Sequence, residues 1–587
     1  MNNELFQIDA CQPSLTDRVE KAIDTLLALF RQGIPVICAY SGGKDSSCVA
    51  ALVLMAARRA AAEGLTPWVA VTTSDTMVEN PEVTAHFRAE LAAMARYGAR
   101  HGVRIDTQIV TPSLASSWQV KVLTGRALPS FPGTNADCSV DLKVTPQASW
   151  RSAFFRGARK AGLKEPVVCL GSRFEESERR RMQMLSRGDT DTAPVRNKHG
   201  EMVLCPIAMW DEDAVWELIG EAAAGTFGPC YSEFAEMRRI YAHSAGTSCA
   251  VVADALATGK KRGGCGARHG CWVCQQSQDK SLENMLDFDG AYAYMAGLNR
   301  FNRFLRATRW DWQRRHWVGR TIRAGYVAIE PDTYHPAMVR QLARYLLQLD
   351  FDEAARAKRA GEDPRFRILP AEMMVAIDAL WSLNGMAPPF ALWADWRDIV
   401  QRGVRYDIPD LPETPEQPMA AARFLHVGRE WDDSASDLEW TGMQDPLIDG
   451  LAGCGPELRT LKNGHTVWDL PLQQQFAIDI ESLCMLLDFE LDRLIEMHDS
   501  GIYGAVWAYK WYASFGCLQL GHAQLAKHDE ILRRTAFKDR IGLGRDYDID
   551  ALLARSVAFN ELPAAARKAW AHKATTESAQ AELALVA

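Results

Sequence analysis

Apolar and polar positions recur with two periods in the N-terminal half of the chain. Val36 to Tyr40 is a short apolar run set off by Gly33 and Pro35, which predicts a buried strand. Ser46 to Ala62 places apolar residues at helical spacing and stops before Gly64, which predicts a helix with a glycine end. Trp68 to Thr73 predicts a second strand, Glu82 to Gly102 a second helix, and Arg104 to Val110 a third strand. Val167 to Leu170 is a further short apolar run, closed by Gly171. Strands alternating with helices predict an α/β fold with an open, doubly wound parallel sheet.

The pattern changes near residue 225. Glycine and cysteine rise, and six of the fourteen cysteines fall between Cys205 and Cys274. Beyond about 290 the chain is aromatic and helical in pattern. Pro409, Pro412, Pro415 and Pro418 make the stretch from Ile408 to Pro418 a linker candidate. Helix-like periodicity returns later, as from Gln473 to Met497, and the tail after Pro563 is rich in Ala, Lys and Glu. The expected division is residues 1–224 as the α/β domain, 225–290 as a Cys-rich insertion, 291–408 as a helical region rich in Arg and aromatics, and 419–587 as a helical C-terminal domain.

Composition narrows the function classes. A chain of 587 residues exceeds one ordinary core, so several domains are expected. With 48% hydrophobic and 24% charged residues it is globular rather than disordered. No uncharged apolar run approaches about 18 residues, and Met1 to Asp9 carries acids rather than an apolar signal core, so no membrane span and no export are expected and the cytoplasm is the expected location. The net charge of −8 excludes a global cationic field, so any nucleic-acid contact needs a local basic patch.

The segment with the most chemistry is Tyr40-Ser-Gly-Gly-Lys-Asp-Ser-Ser47. It follows one predicted strand and opens a predicted helix. There the amides of Gly42 and Gly43 can face an anion, Lys44 adds a cation, and Ser41, Ser46 and Ser47 add hydroxyls. It is not a Walker A loop, because position 38 is Cys and Asp45 follows the lysine. Its Ser-Gly-Gly-Lys-Asp-Ser core resembles the PP-loop of ATP pyrophosphatases, whose fold is that of the adenine nucleotide alpha hydrolases. That resemblance implies cleavage of ATP between the α and β phosphates, with Mg²⁺. Ser74-Asp75-Thr76 through Pro81 resembles a segment of PAPS reductases in which Asp75 would hold Mg²⁺ or orient the nucleotide. Gly171-Ser-Arg173 through Ser177 resembles a second such segment, with Arg173 on phosphate. The resemblance thus implies Lys44, Asp45, Asp75 and Arg173 as catalytic, and Tyr40 to Ser47, Ser74, Gly171 and Arg173 as nucleotide-binding. Taken singly, either later segment also reads as a solvated charged loop.

Cys265-Gly-Ala-Arg-His-Gly-Cys271-Trp-Val-Cys274 puts three thiols in ten residues, with Lys260, Lys261, Arg262 and Arg268 favouring thiolates. A fourth metal ligand would come from Cys138, or alternatively from Cys249. Spacing alone does not separate iron–sulfur from zinc. Cys454, Cys484 and Cys517 stand alone in apolar surroundings and read as core.

The PP-loop upstream of Gly270-Cys-Trp-Val-Cys274 and of Asp279-Lys280-Ser281, with the Cys138 segment, resembles the DndC/SspD family of DNA phosphorothioation over about residues 30 to 290. That resemblance implies adenylylation of a DNA backbone phosphate followed by sulfur insertion. It also implies a [4Fe–4S] cluster on Cys138, Cys265, Cys271 and Cys274, a cysteine desulfurase as sulfur donor, and other subunits of a DNA-modification defence complex. The interval from Cys265 to Cys271 is one residue shorter than the family implies, which keeps Cys249 open as a ligand. A PAPS reductase-like or tRNA-thiolating enzyme, and an ATP-binding assembly subunit, are the alternatives. The expected DNA patch is Arg300 to Arg323, where eight arginines interleave with Phe301, Phe304, Trp310, Trp312 and Trp317. The same stretch also reads as an amphipathic helix pair with aromatic core and solvated arginines.

Overall fold

The structure, a computed structural model, describes residues 13–132, 137–245, 270–276, 278–430, 457–464, 466–469 and 475–571. The chain forms two compact units. The first comprises Met1–Pro112, Ser139–Trp272 and Asp279–Met295; the second comprises Ser113–Cys138, Val273–Gln278 and Ala296–Ala587.

The first unit opens with helix α1 (Leu15–Arg31), started by a capping box in which Ser14 and Asp17 satisfy each other's backbone amides. Strand β1 (Val36–Ala39) has Val36, Ile37 and Cys38 sealed from solvent. Helix α2 (Lys44–Ala62) is apolar all round from Cys48 to Ala57 and buried all round, so it lies inside the unit, against α1 and the sheet. Strand β2 (Trp68–Ser74) follows, then helix α3 (Pro81–His101), which has Asn80 as N-cap, Pro81 in its first turn and Gly102 in the left-handed C-cap position. Strands β3 (Arg104–Val110), β4 (Val167–Cys169), β5 (Val195–Arg196) and β6 (Met202–Leu204) complete a six-stranded sheet of order β3-β2-β1-β4-β6-β5. All pairings are parallel except that of β5 with β6.

This is the expected open parallel sheet, with predicted ends accurate to one or two residues. Its polarity pattern also explains the edge: β3 carries Arg104, Asp106, Thr107 and Gln108 outward, which blunts an open strand against mispairing. The chain runs outward from β1 through β2 to β3 and then crosses to β4 on the other side of β1. The carboxyl ends of β1 and β4 therefore flank a topological switch point, where open α/β sheets hold ligands.

The second unit is mainly helical, with long helices at Pro336–Ala360, Ala371–Asn384 and His522–Arg540. It departs from the all-helical expectation where short antiparallel strands form. Arg315–Arg323 is a strand, β7, which turns at Ala324 and Gly325, both with positive φ, into β8 (Tyr326–Tyr334). Two consecutive positive-φ residues give the turn whose twist matches an antiparallel hairpin. Strand β9 (Arg423–His426) adds to β8. The helix expected from Gln473 begins only at Ile480, capped by Asp479, because Ala477–Ile478 pairs as a short strand with Leu518–Gln519. The proline-rich stretch from Ile408 to Pro418 runs without regular structure inside the second unit, and its Thr414 amide donates to the Ala307 carbonyl at 2.8 Å.

Candidate nucleotide cleft

A cleft of about 790 Å³ opens at the switch point, and residues 39 to 45 form its floor. The turn needs glycine at position 42, where φ is +75° and a Cβ would meet Phe87 and His86 at 3.4 and 3.5 Å. Gly43 caps α2 with no side chain of its own, so apart from the Lys44 amide, which donates to Tyr241 Oη, the first-turn amides of that helix are open to a ligand. The loop is braced from within. The Ser41 amide donates to Ser46 Oγ at 3.1 Å, Ser46 Oγ donates to the Gly43 carbonyl at 2.9 Å, and the Tyr40 amide donates to the Thr72 carbonyl of β2. Ser46 and Ser47 are buried and serve this bracing; they are not among the residues lining the cleft.

The charged walls come from several elements. Lys44 Nζ lies 3.4 Å from Glu212 Oε1 and 3.7 Å from Asp45 Oδ2. Its amide donates to Tyr241 Oη at 3.2 Å, and its ammonium stands 5.8 Å from that ring. Arg173, only 3% exposed, donates from Nε to Asp45 Oδ1 at 2.5 Å and from its guanidinium to the Trp210 carbonyl. Lys143 pairs with Glu79 at 2.8 Å, Arg151 with Glu201 at 2.7 Å, and Arg180 with Glu176 at 3.1 Å. Gly171 explains how the Arg173 segment reaches α2, since a Cβ there would sit 2.9–3.0 Å from the Asp45 and Ser46 backbone.

Sequence reasoning found the floor and the Arg173 segment. Ser74 is at the cleft and accepts a hydrogen bond from Gln147 Nε2 at 3.1 Å. Asp75 is placed differently from its neighbours. Its carboxylate accepts from the Met77 amide and from Arg88, each at 2.9 Å, and it is not among the lining residues, whereas Glu79 is. Met77 holds φ +64° in this turn. Missed from the sequence were His86, Gln147, Glu212 and Tyr241, which come from distant segments with no local signature, and Glu79 and Lys143, which lie in the Ser74–Pro81 and Cys138 segments but were not assigned to the site. His86 lies beneath Gly42, and burial lowers its basicity, favouring the neutral imidazole.

The cysteines divide. Cys271 lies in the first unit, where its Sγ is 3.6 Å from Thr76 Oγ1 and the following Trp272 amide donates to the Val78 carbonyl. Cys138 and Cys274 belong to the second unit, and Cys265 and Cys249 lie outside the described residues. Among the described residues no three Cys, His, Asp or Glu side chains gather as a metal site. The described thiols alone therefore supply no complete cluster ligand set. Cys38 and Cys169 lie in β1 and β4 and Cys205 directly follows β6; burial holds these thiols protonated, Cys38 and Cys205 at about 12. Cys517 is core, as expected, but Cys484 is exposed, and Cys454 lies outside the described residues.

The arginine stretch is spread over a helix, a turn and a strand. Phe301, Phe304 and Trp310 are core. Arg303 pairs with Asp410, Arg306 with Glu413, and Arg314 with Asp311. Arg315 is buried against the Tyr334 ring, and Arg320 is exposed. No helix among the described residues is long and apolar enough to cross a membrane.

No protein-family model matches the chain, and no curated protein matches it. Among solved structures it is similar to the U34-tRNA thiolase NcsA from Methanococcus maripaludis with its [4Fe-4S] cluster, at 13% identity and a TM-score of 0.23, covering 48% of this chain and 80% of that one. A likeness of that extent carries no weight for fold or chemistry, which stand on the geometry above.

Proposed function

We propose that the chain is an ATP pyrophosphatase acting as a sulfurtransferase, and that its acceptor is a DNA backbone phosphate. One observation carries the first part: a helix start whose cap is a glycine without a side chain, behind a glycine turn, with Lys44 beside it, at the carboxyl end of the central strand. Such a start holds polyphosphate oxygens by backbone N–H groups and dipole. The cleft is large enough for a nucleoside triphosphate.

In this reading the acceptor oxygen attacks the α phosphorus. The bond from that phosphorus to the bridging oxygen breaks, and pyrophosphate leaves with the electron pair. A sulfur nucleophile then attacks the acceptor phosphorus and AMP departs. The Gly42–Gly43 turn and Lys44 hold the charge that develops on pyrophosphate. Arg173 fixes Asp45 at the helix start, and a bound triphosphate would draw Lys44 from Glu212. Mg²⁺, which takes one or two carboxylates together with phosphate oxygens, would neutralise the triphosphate, with Asp45 and Glu212 as the nearest acids to Lys44. The DNA acceptor is supported by the resemblance of the Cys138 and Gly270–Cys274 segments to the phosphorothioation family.

The test is product identity. Protein supplied with ATP, Mg²⁺, duplex DNA and a reduced sulfur donor should release AMP and pyrophosphate. Nuclease digestion followed by mass spectrometry should then find phosphorothioate-linked dinucleotides. ADP and orthophosphate as the only products would refute ATP pyrophosphatase chemistry. AMP formed with transfer RNA and not with DNA would refute the acceptor alone.

A further inference from the structure

The second unit contains a cavity of about 470 Å³ that the nucleotide chemistry does not use. One wall is the β7–β8 hairpin, with Gly319, Arg320, Glu330 and Asp332. Another is a single face of helix His522–Arg540. Lys527, Ile531, Arg534 and Lys538 follow one another there at intervals of four, three and four residues, so they share that face. Arg126 closes a third side.

The charges here are not balanced. Lys538 is 7% exposed, and its ammonium meets no carboxylate among the described residues; it donates to the Gly319 carbonyl at 3.4 Å. Arg126 donates to two neutral acceptors, Thr124 Oγ1 and the Ala115 carbonyl. Neither Arg320 nor Lys527 lies within ion-pair distance of an acid among the described residues. Arg534 pairs with Glu530, and His528 is held neutral by burial while its Nδ1 shares a hydrogen bond with Tyr509 Oη. Glu330 and Asp332 are the acids on the wall, yet the charges that perturb Lys538 and Arg126 come from neighbouring arginines. Burial and the nearby Arg534 and Arg320 push the Lys538 ammonium down to about 8.

A buried cation without a counter-ion is costly, and proteins rarely keep one without a use. Four cations converging on one cavity of ligand size recur where a protein binds phosphate. The apolar lining of Leu380, Leu383 and Phe476 gives room for a flat ring beside the charge.

We propose that this cavity is a second anion site, binding the phosphate of a nucleotide unit between Lys538, Arg320 and Arg126. The unit is either a free mononucleotide or one nucleotide of a nucleic-acid strand. The site shares no residue with the Gly42 cleft, so it stands whether or not ATP is cleaved there.

The experiment uses the full chain carrying Lys44→Met, which silences the cleft, and titrates inorganic phosphate at constant ionic strength set with chloride. Calorimetry should give a saturable phosphate site, weakened at least tenfold by Arg320→Ala and by Lys538→Met. Arg320 is exposed on a strand, so its removal leaves the core intact. Lys538→Met should melt higher than its parent without phosphate and no longer respond to it, a direction that damage to the fold does not produce. Titrations with 5′-AMP and with a short single-stranded oligonucleotide identify the source of the phosphate, as the Arg320 dependence should follow the true ligand. Phosphate binding that is absent from the Lys44→Met chain, or that is as tight in the Arg320→Ala and Lys538→Met variants as in their parent, overturns the proposal.

Discussion

The two cavities solve opposite electrostatic problems. In the Gly42 cleft each cation has a carboxylate partner: Lys44 has Asp45 and Glu212, Lys143 has Glu79, Arg151 has Glu201, Arg173 has Asp45, and Arg180 has Glu176. In the cavity of the second unit, Lys538, Arg126, Arg320 and Lys527 line the wall with no such partner among the described residues. A paired cleft is stable when empty and admits a ligand that brings its own cation, as a metal–triphosphate complex does. An unpaired one stores repulsion that an anion relieves. Charge pairing, rather than the number of cations, therefore separates the two ligand classes.

The largest expected effect comes from breaking the cleft. Lys44→Met should lower pyrophosphate release by about 10²- to 10³-fold, the scale on which a single charge-stabilising donor acts. Its cost in stability should stay below about 1 kcal/mol, because the pairs it loses are long and partly solvated. Initial rates of pyrophosphate formation beside a thermal melt separate the two quantities.

The mirror experiment is Lys538→Met, for which the sign of the stability change reverses. The folded-state pKa is about 8, against 10.5 for the free side chain. Below about pH 8 the lysine is charged in both states and the folded state bears the full burial penalty. Between about pH 8 and 10.5 the unfolded chain holds a proton that the folded chain has released, so wild-type stability rises with pH. The gain from methionine should be on the order of 3 kcal/mol at neutral pH and fade toward pH 10.5. Denaturant melts across this range check it, and a gain that does not fall with pH would contradict the assignment.

Gly171→Ala sharpens the geometry of the cleft without touching its charges. The new Cβ would press on the Asp45 and Ser46 backbone at about 3 Å, where no flexible side-chain end can yield. Overpacking of this kind costs roughly 1–3 kcal/mol and should tilt the first turn of α2 away from the phosphate. The Michaelis constant for ATP should rise together with the loss of stability, whereas Gly220→Ala, inside helix Glu212–Ala224 with open space around its Cβ, should leave the Michaelis constant unchanged and raise stability by about 0.5–1 kcal/mol.

Much of the first unit was legible because its signals are local. A short apolar run, a glycine turn and a helical repeat each declare themselves within a few residues, and Val36 to Ala62 reads almost as it folds. The floor of the cleft was visible for the same reason. Its walls were not, since Glu79, Lys143, Gln147, Glu212 and Tyr241 meet only once β2, β4 and β6 are in register. The second unit misled at β7, where the helical spacing of Arg300, Arg303 and Phe304 was carried on through Arg323, although Arg315, Arg320 and Arg323 stand five and three residues apart. The hairpin forms because the chain reverses at Ala324 and Gly325, and because Val318, Ile322, Val327 and Ile329 share one buried cluster. The paired cations were also invisible, because Arg303 and Arg306 meet Asp410 and Glu413 from a proline-rich stretch a hundred residues away.

That stretch supplies the smallest test of the comparison. Arg303 and Asp410 form a half-exposed pair at 2.5 Å, with side chains 47% and 75% accessible. Solvent screens such a pair, and ordering two long side chains offsets part of the attraction, so a double-mutant cycle of Arg303→Ala with Asp410→Ala should return a coupling of about 0.2–1 kcal/mol. Arg320→Ala, which removes a cation with no partner, should leave stability unchanged or slightly raised at low salt. Salt should separate the two further. Raising it from about 0.01 to 1 M shortens the screening length roughly tenfold, which shrinks the Arg303 coupling and removes any gain from losing Arg320. If Arg303 and Arg320 respond to salt with the same sign, pairing does not distinguish the arginines of this unit, and the contrast between the two cavities loses its physical basis.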